Sequence, residues 1–129
     1  MKKKTAQLAA AVALTVTAAV GAGAIPAHAS RVTNPATCGS GIYCSYRDNS
    51  FLGGQISSSG YIAKYSSLGF NDLTSSIANH RSFRTLWYAD ADGLGDIYCL
   101  PPNIAENNLS AAWNDRISSS NSGSSYTVC

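Results

Sequence analysis

The sequence predicts an all-β sandwich of about one hundred residues that is exported from the cell. Three observations support this prediction. Short apolar or aromatic runs alternate with clusters of Gly, Ser, Asn and Asp, one motif occurs twice in register, and the chain begins with an export leader. Short strand-like runs separated by turn residues are typical of two-sheet β proteins. No long segment has a helical period, so we expect no substantial helix.

The first 29 residues have the three parts of a signal peptide. Lys2–Lys4 give a positive start, an apolar stretch runs from about residue 8 to 20, and Ala27–Ala29 fit the small-x-small cleavage pattern. The apolar stretch is Ala-rich and is followed by glycines and a proline, which makes it a poor permanent span. We therefore expect cleavage before Ser30, a secreted, extracellular protein and no membrane association afterwards.

Removal of the leader changes the charge of the protein. The whole chain has a formal net charge of +2, but three lysines of that count belong to the leader. The remaining charged residues are six basic and seven acidic, Arg31, Arg47, Lys64, Arg81, Arg84 and Arg116 against Asp48, Asp72, Asp90, Asp92, Asp96, Glu106 and Asp115. The mature protein therefore has a net charge of −1. Nucleic-acid-binding domains are usually basic, so no nucleic-acid partner is expected.

The mature chain has four cysteines, at positions 38, 44, 99 and 129. An even count in a small exported domain indicates two disulfides, which supplement a small core. Three pairings are formally open, and we favour Cys38–Cys44 with Cys99–Cys129 because each bridge then stays within one half of the chain. Zinc binding is disfavoured because there is no Cys-x2-Cys pair and His80 is the only histidine after the leader.

Four runs have the composition of strands, at residues 42–46, 55–57, 84–88 and 96–100. Residues 30–37 are polar and include a proline, so we expect a flexible N-terminal arm before a domain that starts at residue 38. Residues 101–112 could hold one helical turn. The serine-rich stretch 118–125 has the composition of a flexible linker.

A unit of about forty residues occurs twice. Asn71–Ser76 (Asn-Asp-Leu-Thr-Ser-Ser) recurs 43 positions later as Asn114–Ser119 (Asn-Asp-Arg-Ile-Ser-Ser). Upstream, Tyr46–Asp48 recurs 42 positions later as Tyr88–Asp90, and glycines follow both copies. Two features that repeat in the same order with nearly equal spacing indicate a duplicated unit, long enough for four short strands.

The duplicated Asn-Asp-x-x-Ser-Ser motif is rich in oxygen atoms. Carboxylate, hydroxyl and amide oxygens, with nearby backbone carbonyls, are the ligands that Ca2+ prefers. A single copy is more often a hydrogen-bonded corner, in which Asn and Asp cap turns and Ser bonds the backbone. Duplication in register favours Ca2+ binding, because two facing motifs could share ligands across a pseudo-two-fold axis.

The two halves resemble the Greek keys of βγ-crystallins. The first half carries Tyr46, Phe51 and Gly53 in the spacing Tyr-x4-Phe-x-Gly, followed by the first Asn-Asp motif. The second half runs from Tyr88 to Gly95 and continues to the second motif. The resemblance implies a two-sheet sandwich that holds two Ca2+ ions. The keys would span about residues 38–81 and 82–129.

The resemblance also implies that the two keys exchange calcium ligands. The ligands of one ion would be Asp72, the Leu73 carbonyl and Ser118. Those of the other would be Asp115, the Arg116 carbonyl and Ser75. Backbone carbonyls in the hairpins, near Asp48 and Asp90, would complete the shells. The second key departs from the pattern because Gly93 occupies the place of the second aromatic residue, so we expect its hairpin corner to be looser.

A narrower resemblance concerns function. The early Cys38-x5-Cys44 and the run Leu68–Asp72 are similar to bacterial secreted proteins of the metalloproteinase-inhibitor-like group. That resemblance implies inhibition of an extracellular peptidase, with thermolysin-like zinc enzymes as the typical target. We expect the protein to be a monomer. The alternative is a Ca2+-stabilised structural or surface-binding module without inhibitory activity.

No enzymatic activity is expected. His80 has no evident paired nucleophile, and no serine lies in Gly-x-Ser-x-Gly, so a loop or strand-end histidine is expected. Trp87 and Trp113 could form a binding face, but we expect them in the core. Trp113 precedes its Asn-Asp motif just as Phe70 precedes the first, which indicates packing.

Overall fold

The computed structural model of the protein describes residues 31–125 and Cys129. The predicted signal peptide, residues 1–29, and its cleavage site at Ser30 lie outside the described residues. The strands of the described part are β1 Arg31–Val32, β2 Tyr43–Tyr46, β3 Gln55–Ser58, β4 Ser76–Asn79, β5 Thr85–Tyr88, β6 Ile97–Leu100, β7 Ile104–Glu106 and β8 Ser119–Ser122. Short 3-10 turns occupy Asn49–Phe51, Tyr65–Leu68 and Ala91–Gly93.

The strands form two antiparallel sheets. One has five strands in the order β1-β7-β4-β2-β3, and the other has three in the order β6-β5-β8. Side chains from both sheets meet in one core, which includes Tyr43 and Ile77 from the first sheet and Trp87 and Leu100 from the second. The predicted all-β sandwich is confirmed, as are the four strands that the sequence indicated.

Each half contributes one segment to the sheet of the other half. β7 belongs to the second half, yet it pairs with β4 of the first half. In return, Ile62 of the first half forms an antiparallel bridge with Ser120 in β8 of the second half. Each sheet therefore depends on residues of both halves.

The strand register defines two ends of the sandwich. β2 and β4 pair from Tyr43↔Asn79 at one end to Tyr46↔Ser76 at the other. The β4–β5 connector, residues 80–84, lies at the first end, and the β2–β3 hairpin lies at the second. The β5–β6 hairpin also lies at the second end, next to the pair Tyr88↔Ser119. We call these the connector end and the hairpin end, and both Asn-Asp motifs lead into their strands at the hairpin end.

The prediction of a flexible arm at residues 30–37 is wrong for residues 31–37, which the structure describes. Arg31 and Val32 form β1 and pair with Glu106 and Ala105 of β7. Farther along, the Asn34 Nδ2 donates to the Asn79 carbonyl at 3.3 Å, and Thr37 bonds the Tyr46 hydroxyl at 2.9 Å. Polar composition suggested a free segment, but these polar groups fasten it to the first sheet.

The serine-rich stretch also differs from the prediction of a linker. Ser119–Ser122 form β8, and Ser119 and Ser120 are fully buried. Their hydroxyls are bonded inside the protein, with Ser120 Oγ accepting from the Tyr65 hydroxyl at 2.9 Å. A strand that buries hydroxyls instead of methyl groups has no apolar pattern, and for that reason its composition looked like a linker.

The prediction of one helical turn within residues 101–112 is partly right. It is wrong for the middle of this range, which forms strand β7. One turn does form at the end of the range, where the Asn114 amide donates to the Ser110 carbonyl at 2.8 Å. β7 has only three residues, too few for a visible period.

The two favoured disulfides are present. Cys38 pairs with Cys44 at a Cα–Cα distance of 6.0 Å, and Cys99 pairs with Cys129 at 5.2 Å. The second bridge fixes the last residue of the chain to β6, whereas Tyr126 and Val128 lie outside the described residues. Each bridge stays within one half of the chain.

Candidate calcium sites at the hairpin end

Each hairpin is folded over and held by a serine. In the first hairpin, Ser50 and Phe51 have φ angles of 56° and 61°, which turn the chain back over the sheet. Ser76 Oγ donates to the Asp48 carbonyl at 2.6 Å and accepts from the Phe51 amide at 3.1 Å. Sequence reasoning missed this role, although the second serine of each motif was the available signal.

The second hairpin repeats this geometry. Ser119 Oγ donates to the Asp90 carbonyl at 2.6 Å and accepts from the Gly93 amide at 3.0 Å. The φ angles of Asp92 and Gly93 are 60° and 70°. The carbonyls of Asp48 and Asp90, which the resemblance suggested as calcium ligands, thus already accept one hydrogen bond each. A carbonyl oxygen has a second lone pair, so each can still accept another partner.

The corner at Gly93 lacks the aromatic contact of the first corner. Tyr46 and Phe51 stack edge to face with ring centroids 5.4 Å apart. A Cβ atom at Gly93 would meet Tyr61 at 3.6 Å and Tyr88 at 3.8 Å. The second corner therefore follows the same backbone path as the first, with the Tyr61 ring from the other half beside the glycine.

The two Asn-Asp motifs face each other across the pseudo-two-fold axis. Ser118 Oγ donates to Asp72 Oδ1 at 3.2 Å, and Ser75 Oγ lies 3.5 Å from Asp115 Oδ1. The backbone crosses in the same way, because the Asp72 amide donates to the Ile117 carbonyl at 3.1 Å. The structure thus brings together the Asp–Ser pairs that the resemblance to βγ-crystallins implied.

Neighbouring asparagines orient the two carboxylates. Asn71 Nδ2 donates to Asp72 Oδ2 at 2.8 Å, and Asn114 Nδ2 donates to Asp115 Oδ2 at 2.9 Å. One oxygen of each carboxylate is held by its asparagine, and the other faces the serine of the opposite motif. Both aspartates lie in the left-handed region with φ of 54° and 55°, a conformation that Asp tolerates better than most residues.

The oxygen donors at each position are of the types that Ca2+ prefers. Each has one exposed carboxylate and one nearly buried serine, Ser75 at 8% and Ser118 at 7% exposure. Among the described residues, the carbonyls of Leu73 and Arg116 accept no hydrogen bond. Within the same part of the chain, no group of three or more Asp, Glu, His or Cys side chains could hold a metal. Any ion here would therefore rely on neutral oxygens besides its carboxylate.

The other candidate residues have structural contacts. His80 Nδ1 bonds the Cys38 carbonyl at 2.8 Å, which holds the loop of the first disulfide. Trp87 is fully buried, and its Nε1 donates to Ser45 Oγ at 2.9 Å. Trp113 packs edge to face on Tyr98, with ring centroids 5.3 Å apart. Both tryptophans pack with the core, as expected, and the repeat had predicted this for Trp113.

A buried polar network between the sheets was not predicted. The Tyr65 hydroxyl bonds both Ser45 Oγ and Ser120 Oγ at 2.9 Å, and burial raises its pKa. Near β1, the Tyr98 hydroxyl donates to the buried carboxylate of Glu106. Burial and that hydrogen bond raise the pKa of Tyr98. Single buried tyrosines and serines carry no sequence period, so no pattern could reveal these bonds.

Solved βγ-crystallin domains share this architecture. One, from work on the evolution of the eye lens βγ-crystallin domain fold, matches with a TM-score of 0.64 and 22% identity, over 73% of this chain and 97% of that chain. A βγ-crystallin from Ciona intestinalis matches with a TM-score of 0.57 and 24% identity, over 64% and 100%. A domain from Flavobacterium johnsoniae matches with 0.56 and 24%, over 67% and 98%. Comparison with curated proteins found no match. The fold is therefore that of a βγ-crystallin domain.

The family follows from a second comparison. The model of peptidase inhibitor family I36 matches residues 32–100, more than half of the 129 residues. The chain belongs to peptidase inhibitor family I36. An inhibitor family together with a crystallin fold indicates a protein that is not catalytic. The part of the chain that the structure describes contains no helix with the length and apolar character needed to cross a bilayer.

Proposed function

We propose that the protein is a secreted inhibitor of extracellular peptidases whose scaffold binds two Ca2+ ions. Family membership over residues 32–100 supports the inhibitory activity. The crossed pairs Asp72–Ser118 and Asp115–Ser75 are the observation that supports calcium binding. The export leader supports secretion, and the N-terminal sequence of the protein in the medium should begin at Ser30.

Calcium would act on the scaffold because its ligands come from both halves of the chain. At each position one half supplies the carboxylate and a backbone carbonyl, and the other supplies the serine hydroxyl. An ion would tie the halves together and neutralise an exposed aspartate. With one carboxylate per site, we expect a modest affinity, suited to an extracellular module. At a free Ca2+ concentration one hundred times Kd, each site would add about 2.7 kcal/mol to the free energy of unfolding.

Thermal unfolding of the mature protein tests the calcium proposal. Addition of Ca2+ should raise Tm, and a chelator should reverse the change. Isothermal calorimetry should show two binding events. Superimposable melting curves in Ca2+ and in chelator, with no binding heat, would refute calcium binding without affecting the family assignment.

Inhibition assays test the proposed inhibition of extracellular peptidases. The mature protein should inhibit a thermolysin-like zinc peptidase, the class that the sequence resemblance suggests, and a bacterial serine peptidase serves as the specificity comparison. The inhibition should be stoichiometric, and the inhibitor should remain folded. Lack of inhibition of both enzymes at micromolar concentrations, with calcium binding intact, would leave a Ca2+-stabilised module without inhibitory activity.

A further inference from the structure

At the connector end, one buried side chain organises two loops. Asn79 is the last residue of β4 and is fully buried. Its Nδ2 lies within hydrogen-bond distance of three carbonyls, those of Phe83 at 2.8 Å, Leu100 at 3.0 Å and Pro101 at 2.9 Å. Its Oδ1 accepts from the Arg81 amide at 3.2 Å. Asn79 thereby ties the β4–β5 connector to the loop after β6.

Other bonds fix the connector along its length. The His80 carbonyl accepts from the Gly41 amide at 2.8 Å, and the Arg81 carbonyl accepts from the Asn103 amide at 3.3 Å. The Arg84 carbonyl accepts from Ser122 Oγ at 3.0 Å. Neighbouring segments carry a disulfide on one side and two consecutive prolines on the other. The connector is thus held in one conformation before any partner arrives.

The side chains on this rigid segment suit recognition of a protein surface. The Phe83 side chain is 38% exposed, and the guanidinium of Arg81 lies 5.4 Å from its ring centroid. Arg81 is half-buried, and its Nε and Nη1 are out of contact with solvent. What it offers a partner is its positive charge beside the exposed ring, since charged groups that face a partner steer its approach. Residues 80–84 contain two arginines and no acid, in a mature chain whose net charge is −1.

We propose that the connector is the segment that contacts the peptidase. Phe83 enters an apolar pocket of the substrate cleft, and the positive charge of Arg81 faces acidic groups at the rim of that cleft. This assignment rests on the proposed inhibitory function. A preorganised loop avoids the entropic cost of ordering on association, and aromatic and Arg side chains supply much of the energy at protein interfaces.

The assignment places the two activities at opposite ends of the sandwich. The candidate calcium sites lie at the hairpin end, with Asp72 and Asp115, whereas the connector lies at the other end of β4. Calcium would then act on stability and not on the contact itself. At a temperature where the protein is folded in chelator, the inhibition constant should change less than twofold on addition of Ca2+.

Leu94 offers a matched control for Phe83. It is 63% exposed, but it lies in the β5–β6 hairpin at the hairpin end. Against the inhibited peptidase, Phe83→Ala should raise the inhibition constant of the mature protein at least about tenfold, since interface anchors exceed that loss on truncation. Leu94→Ala should change it less than twofold. Ser82→Trp, which adds bulk at an exposed connector position, should also weaken inhibition while Tm stays unchanged.

Association kinetics test Arg81. Arg81→Ala should slow association and reduce its dependence on salt, because a charge that faces the partner is lost. Lys64→Ala, which removes an exposed cation outside the connector, should leave both unchanged. If the wild-type protein inhibits but all three connector variants inhibit equally well, the contact assignment is wrong and the inhibitory function stands. If the wild-type protein inhibits neither peptidase, the proposed function and the assignment both fail.

Discussion

Adjacent serines in each Asn-Asp-x-x-Ser-Ser motif have different tasks. Ser76 and Ser119 hold the folded hairpin of their own half through hydrogen bonds of 2.6 Å to a backbone carbonyl. Ser75 and Ser118 instead face an aspartate of the opposite half. One position therefore stabilises a corner, and its neighbour lies where the proposed Ca2+ site would take a ligand.

This division predicts separable effects of substitution. Ser75→Ala and Ser118→Ala should each reduce the number of Ca2+ ions bound from two to one, because each removes the hydroxyl ligand that crosses between halves. Calorimetric titration measures the stoichiometry. Ser76→Ala should lower stability in chelator by about 1–3 kcal/mol, since it removes two hydrogen bonds that each contribute about 0.5–1.5 kcal/mol. Ser59→Ala, at an exposed site, is the control. Retention of two ions by both Ser75→Ala and Ser118→Ala would exclude the crossed ligand set.

Buried tyrosines predict a loss of stability at alkaline pH. Burial raises the pKa of Tyr65 above its ordinary value of 10.0. The folded state therefore favours the neutral phenol, so this stabilisation is complete below pH 10 and declines as the pH rises toward the raised pKa, where only the unfolded chain has ionised. In urea unfolding experiments Tyr65→Phe should show a shallower decline above pH 10 than the wild type. Equal declines of the two proteins above pH 10 would show that Tyr65 does not contribute to the loss of stability at alkaline pH.

Residues in a repeated motif could be predicted from the sequence, whereas isolated ones could not. The duplication in register is visible in the sequence, the resemblance to βγ-crystallins implies the pairs Asp72–Ser118 and Asp115–Ser75, and the structure places the members of each pair 3.2 and 3.5 Å apart. Asn79 occurs in no motif, and its importance comes from the loops that the fold brings around it. A buried amide with several partners leaves no periodic signal, so only three-dimensional structure reveals it.

At the scale of elements, apolar strands could be predicted more readily than polar ones. β2 and β5 contain aromatic residues and were recognised. β8 consists of three serines and an asparagine, and it is held by hydroxyl bonds to tyrosines and backbone. β1 has two residues and pairs with β7, and β7 has three residues and pairs with both β1 and β4. Strand formation here depends on distant partners that composition does not show.

The second hairpin predicts a contrast between two glycines. Gly93 and Gly95 both have positive φ, 70° and 78°. Alanine at Gly93 would meet only ordinary contacts, whereas at Gly95 its Cβ would lie 2.6 Å from Asp90 Oδ2 and 3.2 Å from the Asp90 amide nitrogen. Gly93→Ala should therefore cost about 1–2 kcal/mol, the usual cost of a left-handed residue, and Gly95→Ala clearly more. Equal losses in chemical denaturation would contradict this account.

For the whole molecule, exchange of strands predicts that neither half folds alone. A fragment of residues 30–81 lacks β7, the neighbour of β4, and a fragment of residues 82–129 lacks the segment at Ile62 that bridges β8. Each fragment would also expose its side of the shared core. Circular dichroism and NMR should show two disordered fragments that fold on mixing in equal amounts. A dispersed NMR spectrum from residues 30–81 alone would contradict this prediction.

The same exchange has a consequence for hydrolysis of the chain. Neither disulfide spans the β4–β5 connector, so a cut there produces two separate polypeptides. The polypeptides would nevertheless remain interlocked through β7 and the Ile62 segment, and the bonds from Asn79 and Ser122 would keep the new termini side by side. If the connector is the peptidase contact, as proposed, these termini could not diffuse apart, so resealing of the peptide bond would compete with product release and a nicked molecule would still occupy the peptidase.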